Sequence, residues 1–129
     1  MSPDCEAWFA AAERDLNSCR ILLAGNDYAA ACFHAQQAVE KALKALILRR
    51  GKPVPKVHSL TELFQTGGEK SLAVYRDAFD TMSKYYLPSR YPDVWTEGVP
   101  IWFDDENAAR EAFNMAAAIV RAVASLLRG

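Results

Sequence analysis

Apolar residues recur near the start of the chain at three- and four-residue steps, the spacing of one face of an α-helix. The stripe consists of Cys5, Trp8, Ala12, Leu16, Cys19 and Leu23. Ser2 is a suitable N-cap, and Pro3 fits the first helical position, where its missing N–H costs nothing. Gly25 is expected to stop this helix in a left-handed conformation. The pattern therefore predicts a first helix between Ser2 and Gly25.

A second long helix is predicted from a cap at Asn26 or Asp27 to Arg50, ending at Gly51. Its expected core stripe is Tyr28, Ala35, Val39, Ala42 and Leu46. The opposite face carries Phe33, Gln37, Lys41, Lys44 and Leu48. A solvated face does not need large apolar groups, so Phe33 and Leu48 predict cover by a neighbouring helix or a second subunit. The short link between these two helices favours an antiparallel hairpin.

Three more helices follow from local signals. Residues 52–57 contain two prolines and form a stiff connector, after which Ser59-Leu60-Thr61-Glu62 is a capping box for a short helix that Gly67-Gly68 closes. A fourth helix is indicated by Leu72, Tyr75, Phe79, Met82 and Tyr86, and it stops before Pro88. A loop runs to Phe103, and Asp104 or Asp105 caps a last helix with the stripe Ala112, Ala116, Ile119, Val123 and Leu126. The prediction is one all-α domain over residues 1–129, an up-and-down helical bundle of four long helices plus one short helix.

Charge adds one feature to this picture. The net charge of −1 argues against a protein that coats nucleic acid generally. Locally, however, residues 40–57 are basic, and residues 93–111 are acidic. The basic run contains Lys41, Lys44, Arg49, Arg50, Lys52 and Lys56 against Glu40 alone. Either these are solvated faces of opposite sign, or they serve a partner or a phosphate-bearing ligand.

Cysteine usage and hydropathy indicate a cytoplasmic protein. Cys5, Cys19 and Cys32 have no zinc-like spacing, so we expect small buried thiols, a reducing compartment, no metal and no cofactor. Asp4 and Glu6 stand where a signal peptide needs positive charge. No apolar run is long enough to cross a membrane, so no membrane association is expected.

Several motifs in order resemble the HEPN domain family in its compact prokaryotic form. The first is Arg14-Asp15-Leu16, with Leu22-Leu23 before the turn and Tyr28 after it. The most specific is the run Phe33-His34-Ala35-Gln36-Gln37-Ala38-Val39-Glu40-Lys41-Ala42-Leu43-Lys44-Ala45. His58-Ser59-Leu60 with Leu63, and Ser89-Arg90-Tyr91-Pro92-Asp93, complete the similarity.

The resemblance implies a helical bundle that commonly forms a homodimer. It also implies association with a small nucleotidyltransferase, in arrangements that look like toxin–antitoxin pairs. Many HEPN proteins are metal-independent ribonucleases, whose signature is an Arg followed after four to six residues by a His. This chain departs from that signature. Its histidines are His34 and His58, neither of which follows an Arg at that spacing, and no His follows Arg90.

Candidate site residues follow from chemistry and position. Arg90 and Tyr91 lie in the long loop, where the guanidinium suits a phosphate and the ring suits a base. The alternative is that Arg90 pairs with Asp93 or caps the C-terminus of a helix, and that Tyr91 fills the end of the bundle. His34, Gln37 and Lys41 share one side of the second helix, where they either bind ligand or make contacts between helices.

His58 and Glu40 have simpler alternatives. His58 either acts as an acid or base or supports the turn before Ser59, and Glu40 is expected to form an exposed ion pair with Lys44. No catalytic residue is assigned firmly, and the candidates are His34, His58 and Arg90.

Three functional hypotheses remain open. The first is a dimeric module that binds a nucleotide or RNA-like ligand, or partners a nucleotidyltransferase. In it Arg90, Tyr91, Lys41, Gln37 and His34 contact the ligand, and Phe33 and Leu48 contact the second subunit. The second is a divergent metal-independent ribonuclease, and the third is purely a protein-interaction subunit. Convergence of the histidines in an open cleft favours the first two.

Overall fold

The computed structural model describes residues 1–86 and 105–129. These residues form α1 (Pro3–Ala24), α2 (Tyr28–Arg49), α3 (Leu60–Gly67), a 3₁₀ helix (Lys70–Tyr75), α4 (Arg76–Ser83) and α5 (Glu106–Arg128). Within these two ranges the structure contains no strand. The predicted all-α class is confirmed.

The α1–α2 hairpin begins and turns on the residues that the sequence marks. The Ser2 hydroxyl accepts a hydrogen bond from the Cys5 amide at the start of α1, and the Asp27 side chain caps α2. The turn between them differs from the prediction, because Gly25 has a φ of −88° and the left-handed residue is Asn26, with a φ of 64°. Asn tolerates this conformation because its short polar side chain can bond locally, and Asn26 Oδ1 accepts a hydrogen bond from the Tyr28 hydroxyl.

Helix α2 is the central element of the bundle, packed against α1, α3, α4 and α5. Most of its residues are buried or half-buried, as expected for a helix that is surrounded by others. Ala35, Val39, Ala42 and Leu46 are buried as predicted, whereas Tyr28 is half-buried. Leu43 and Ile47 are also fully enclosed, and truncating either to alanine would cost about 2–5 kcal/mol.

The fourth helical segment is shorter than predicted. Instead of one long helix, residues 70–75 form a 3₁₀ helix and only Arg76–Ser83 are α-helical. The Glu69 side chain caps the 3₁₀ turn, and Tyr75, at its junction with α4, has a φ of −99° and a ψ of 12°. The bundle thus has three long helices and two short ones within the described ranges.

Most of the remaining predictions about local structure are confirmed, but four predicted core residues are only half-buried: Trp8, Leu16, Leu23 and Leu126. Ser59 caps α3 by accepting from the Glu62 amide, and Gly68 ends it with a φ of 68°. Asp105 caps α5, whose buried face includes Ala112, Ala116, Ile119 and Val123. All three cysteines are buried free thiols. None of the described helices is long and apolar enough to cross a membrane.

Candidate functional site

The first polar cluster is centred on Glu40, in the middle of α2. Its carboxylate is almost enclosed, with 5% of the side chain exposed. Oε2 lies 3.0 Å from Lys44 Nζ, and Oε1 accepts hydrogen bonds from Gln36 Nε2 at 3.1 Å and, at 3.5 Å, from Gln37 Nε2. Lys44 is also enclosed and lies over the Trp8 ring, 5.3 Å from its centroid. The Glu40–Lys44 ion pair is present, but the expectation that it is exposed was wrong.

His58 completes this cluster from outside α2. Its Nδ1 lies 3.1 Å from Glu40 Oε1, and its backbone carbonyl accepts from Gln36 Nε2 at 3.1 Å. A carboxylate only accepts hydrogen bonds, so Nδ1 is the donor and carries the proton. The His58 side chain is 49% exposed, and its ring stacks on Tyr86 with centroids 3.9 Å apart. Nε2, on the other side of the ring, has no hydrogen-bond partner among the described residues, so it can exchange a proton or bind a ligand there.

A second cluster repeats the same arrangement one helix away. Asp15 on α1 is buried, and its Oδ1 lies 2.8 Å from His34 Nδ1 on α2. Oδ2 of the same carboxylate accepts from Lys41 Nζ at 2.5 Å. The side chains of His34 and Lys41 are 31% and 27% exposed. Asp15 therefore holds an imidazole and an ammonium group side by side at the surface.

Hydrogen bonding sets the charge of Asp15. Burial by itself would raise its pKa, but the hydrogen bonds from His34 and Lys41, with the positive charge of those groups, outweigh it. The net effect holds the pKa of Asp15 below its usual value. The carboxylate thus stays ionised at neutral pH and continues to orient both partners.

Aromatic rings join the two clusters into one surface. The Phe33 ring lies 5.2 Å from the His34 ring and 6.0 Å from the Tyr86 ring, and Tyr86 in turn stacks on His58. We call the surface formed by His34, Lys41, Phe33, Tyr86 and His58, with Gln37 beside them, the histidine face. It combines flat rings, amide groups and two half-exposed imidazoles, which are groups that recognise bases and phosphates.

The structure brings together most, but not all, of the residues proposed from sequence. His34, Gln37, Lys41 and His58 belong to the histidine face. Leu48 lies apart, where it lines a groove of about 340 Å³ with Trp8 and Val54. Arg90 and Tyr91 lie outside the described residues.

Sequence reasoning missed the buried carboxylate at Asp15 and the central role of Glu40. Both residues interrupt helical stripes that are otherwise apolar. Asp15 lies between Ala12 and Cys19 on the buried stripe of α1. On α2, Gln36 and Glu40 share one buried side of the helix with Cys32, Leu43 and Ile47. A charged residue on a buried stripe is rarely unpaired, which was the available signal. Within residues 1–86 and 105–129, no three His, Cys, Asp or Glu side chains come together as a metal site would require.

Comparison with known proteins gives consistent results. The family model of the HEPN domain matches residues 5–126. The crystal structure of TT1696 from Thermus thermophilus is 33% identical, with a TM-score of 0.84, covering 96% of this chain and 98% of that one. The crystal structure of ST0689, an archaeal HEPN homologue, is 35% identical, with a TM-score of 0.79, covering 98% and 99%. No curated protein matches the chain.

Proposed function

Because this chain belongs to the HEPN domain family, we propose that it is a dimeric HEPN module whose histidine face binds a nucleotide or RNA-like ligand. One observation carries the proposal. Two half-exposed imidazoles, each held at Nδ1 by a buried carboxylate, lie on one surface and are joined by the rings of Phe33 and Tyr86. A histidine that only fills space between helices does not need this exposure.

Preorganisation supports binding at this surface. Glu40 and Asp15 hold His58, His34 and Lys41 in place before any ligand arrives, so binding does not have to order them. The Lys41 ammonium can contact a phosphate, and the stacked His58–Tyr86 pair offers a flat edge beside which a base can pack. Arg90 follows Tyr86 by four residues in the sequence and remains a proposed ligand contact, together with Tyr91.

Binding of a labelled single-stranded RNA, followed by fluorescence anisotropy, tests the proposal. We expect Lys41→Ala and His58→Ala to weaken binding about tenfold each, as loss of a charge-assisted or stacking contact does. Lys41→Ala should also reduce the slope of log K against log salt by about 0.7, the value for one phosphate on a single strand. Arg121→Ala, an exposed charge on α5, is the matched control. Equal losses in all three variants, or no RNA binding by the wild type, would refute the proposal.

The carboxylate–histidine pairs favour one second candidate, a divergent metal-independent ribonuclease. An imidazole whose Nδ1 donates to a carboxylate is oriented to act as an acid or base through Nε2. Cleavage of single-stranded RNA in EDTA by the wild type, and its loss in His58→Ala and Arg90→Ala, would establish this activity. If the RNA binds but stays intact, the ribonuclease candidate is refuted and the proposal of a binding module stands.

Dimerisation is the quaternary part of the proposal. Phe33 and Leu48 are the proposed subunit contacts, and both are only partly covered within the chain. Sedimentation equilibrium of Leu48→Glu tests this role, with Ile21→Glu as a control because Ile21 is an exposed apolar residue of α1. A monomer for Leu48→Glu and a dimer for Ile21→Glu are expected. A dimer for both would remove Leu48 from the interface.

Copurification with a nucleotidyltransferase tests the proposed partnership.

A further inference from the structure

The basic run of residues 40–57 is only partly used by the histidine face. Lys41 and Lys44 are paired with the two buried carboxylates, but Arg50 and Lys52 point to another place. Arg50 donates to the Gly67 carbonyl at 3.2 Å, and Lys52 Nζ donates to the Thr66 carbonyl at 3.1 Å. Both cations therefore lie at the C-terminal end of α3.

Two further cations reach the same end of α3 from the next elements. Lys70 and Arg76 are exposed, and together with Phe64, Gln65 and Gly68 they line a groove of about 370 Å³. This volume is in the range of small-ligand sites. The Arg76 guanidinium lies 5.9 Å from the centroid of the Phe64 ring, so a cation and an aromatic face are adjacent in the groove. We call these residues, with Lys52 at the edge, the α3 groove.

The charge in the α3 groove is not balanced. Glu69 is the acidic residue of its lining, and that carboxylate already pairs with Arg50 and accepts from the Ser71 hydroxyl and amide. Hydrogen bonds from Ser71, together with Arg50, hold the pKa of Glu69 below its usual value, so the pair stays charged. Among the residues that the structure describes, no carboxylate lies within 4.0 Å of Lys52, Lys70 or Arg76.

From this geometry we propose that the α3 groove binds a small ligand that carries a phosphate or pyrophosphate group and a ring. Lys70, Arg76 and Lys52 contact the phosphate oxygens, and the ring packs on Phe64 beside the guanidinium. The site is separate from the histidine face, which lies at the other end of α3, where His58 precedes the Ser59 cap.

A long polyanion does not fit the path between the two sites. Helices α3 and α4 lie side by side along this path, as the hydrogen bond from Thr61 Oγ1 to Asp80 Oδ1 at 2.6 Å shows. Asp80 lies at this contact between the two helices, which also carry exposed carboxylates at Glu62 and Asp77. They would repel a phosphate backbone that extended from His58 to Lys70. A compact anion, held at the α3 groove alone, avoids them.

Calorimetric titration of the full chain with inorganic pyrophosphate and with ADP tests the proposal. We expect both probes to bind, and Lys70→Ala and Arg76→Gln each to weaken both about tenfold, the usual effect of losing a hydrogen bond to a charged group. Phe64→Leu should weaken ADP and leave pyrophosphate unchanged, because only ADP has a ring. Arg14→Ala, an exposed charge on α1, should change neither affinity.

His58→Ala alters the histidine face and not the α3 groove, so Lys70→Ala and Arg76→Gln should weaken pyrophosphate and ADP binding as much in the His58→Ala background as in the wild type. Loss of ADP binding in His58→Ala, with Lys70→Ala unaffected, would place the ligand on the histidine face and overturn the proposal. So would the absence of pyrophosphate binding at about 5 mM, far above the concentrations at which specific sites fill. The proposal would also be overturned if Lys70→Ala and Arg76→Gln weakened the binding of a single-stranded RNA but not the binding of pyrophosphate or ADP.

Discussion

Replacing Glu40 by alanine tests whether the centre of the site is a buried charge network. Lys44 has 8% of its side chain exposed, so the substitution would leave an enclosed ammonium group that has lost its carboxylate and lies over the Trp8 ring. His58 and Gln36 would also lose an acceptor. Removing one partner of a buried ion pair costs about 3–5 kcal/mol, against a few tenths for an exposed i,i+4 pair. For a chain of this length that corresponds to a fall in Tm of about 11–18 °C.

Urea unfolding followed by far-UV circular dichroism measures this free energy of unfolding. Arg110→Ala is the matched control, because Glu106 and Arg110 form an i,i+4 pair of similar geometry, with 49% and 60% of their side chains exposed. The urea midpoint of Arg110→Ala should stay close to that of the wild type. If Glu40→Ala is too unstable to measure, Glu40→Gln keeps the shape and removes only the charge.

A double-mutant cycle identifies the source of the loss. Glu40→Gln combined with Lys44→Met removes both charges, so no uncompensated ion remains and part of the stability should return. The reasoning fails if Glu40→Ala loses less than about 1 kcal/mol, or if the two single substitutions add without coupling. Either result would mean that water screens the pair as it screens an exposed one.

Three other properties follow from the described residues. Because the pKa of Asp15 is lowered on folding, its ionised form stabilises the fold above its unfolded-state pKa, and this contribution is lost as pH falls through the folded-state value. In Asp15→Asn the free energy of unfolding should therefore fall less steeply as the pH is lowered. An unchanged pH dependence would contradict the pairing of Asp15 with His34 and Lys41. Gly68→Ala should cost about 1 kcal/mol in urea unfolding because residue 68 has a φ of 68°, and a stabilised variant would contradict this. Burial raises the pKa of Cys19 and of Cys32 to about 12, and raises that of Cys5. A thiol reagent at pH 8 should therefore label the three cysteines only after denaturation, and rapid labelling of the native protein would refute it.

Local signals in the sequence were sufficient for most element boundaries. Caps such as Ser2, Ser59 and Asp105 act through hydrogen bonds to amides two or three residues away, so neighbouring residues alone determine them. The 3₁₀ segment escaped prediction for a related reason. The stripe from Leu72 to Tyr86 has helical spacing, but spacing does not distinguish one continuous helix from a 3₁₀ turn followed by a short α-helix.

The candidate site was only half predictable. His34, Gln37 and Lys41 could be grouped from their shared helix, because residues three, four and seven apart lie on one side of it. Joining them to His58 required the fold, since His58 follows a proline-containing connector whose path no periodic pattern records. The ring contacts of Tyr86 with Phe33 and His58 likewise join residues more than twenty positions apart.

By itself, the sequence determined the helical class, most of the caps and the family, because these depend on periodicity and on short motifs read in order. Tertiary structure alone decided which charges are buried. Glu40 and Lys44 have the spacing of an ordinary surface pair, and only the packing of Trp8 and the His58 segment around α2 encloses them. The energetic worth of a charge depends on the water and partners around it, and these come from distant parts of the chain.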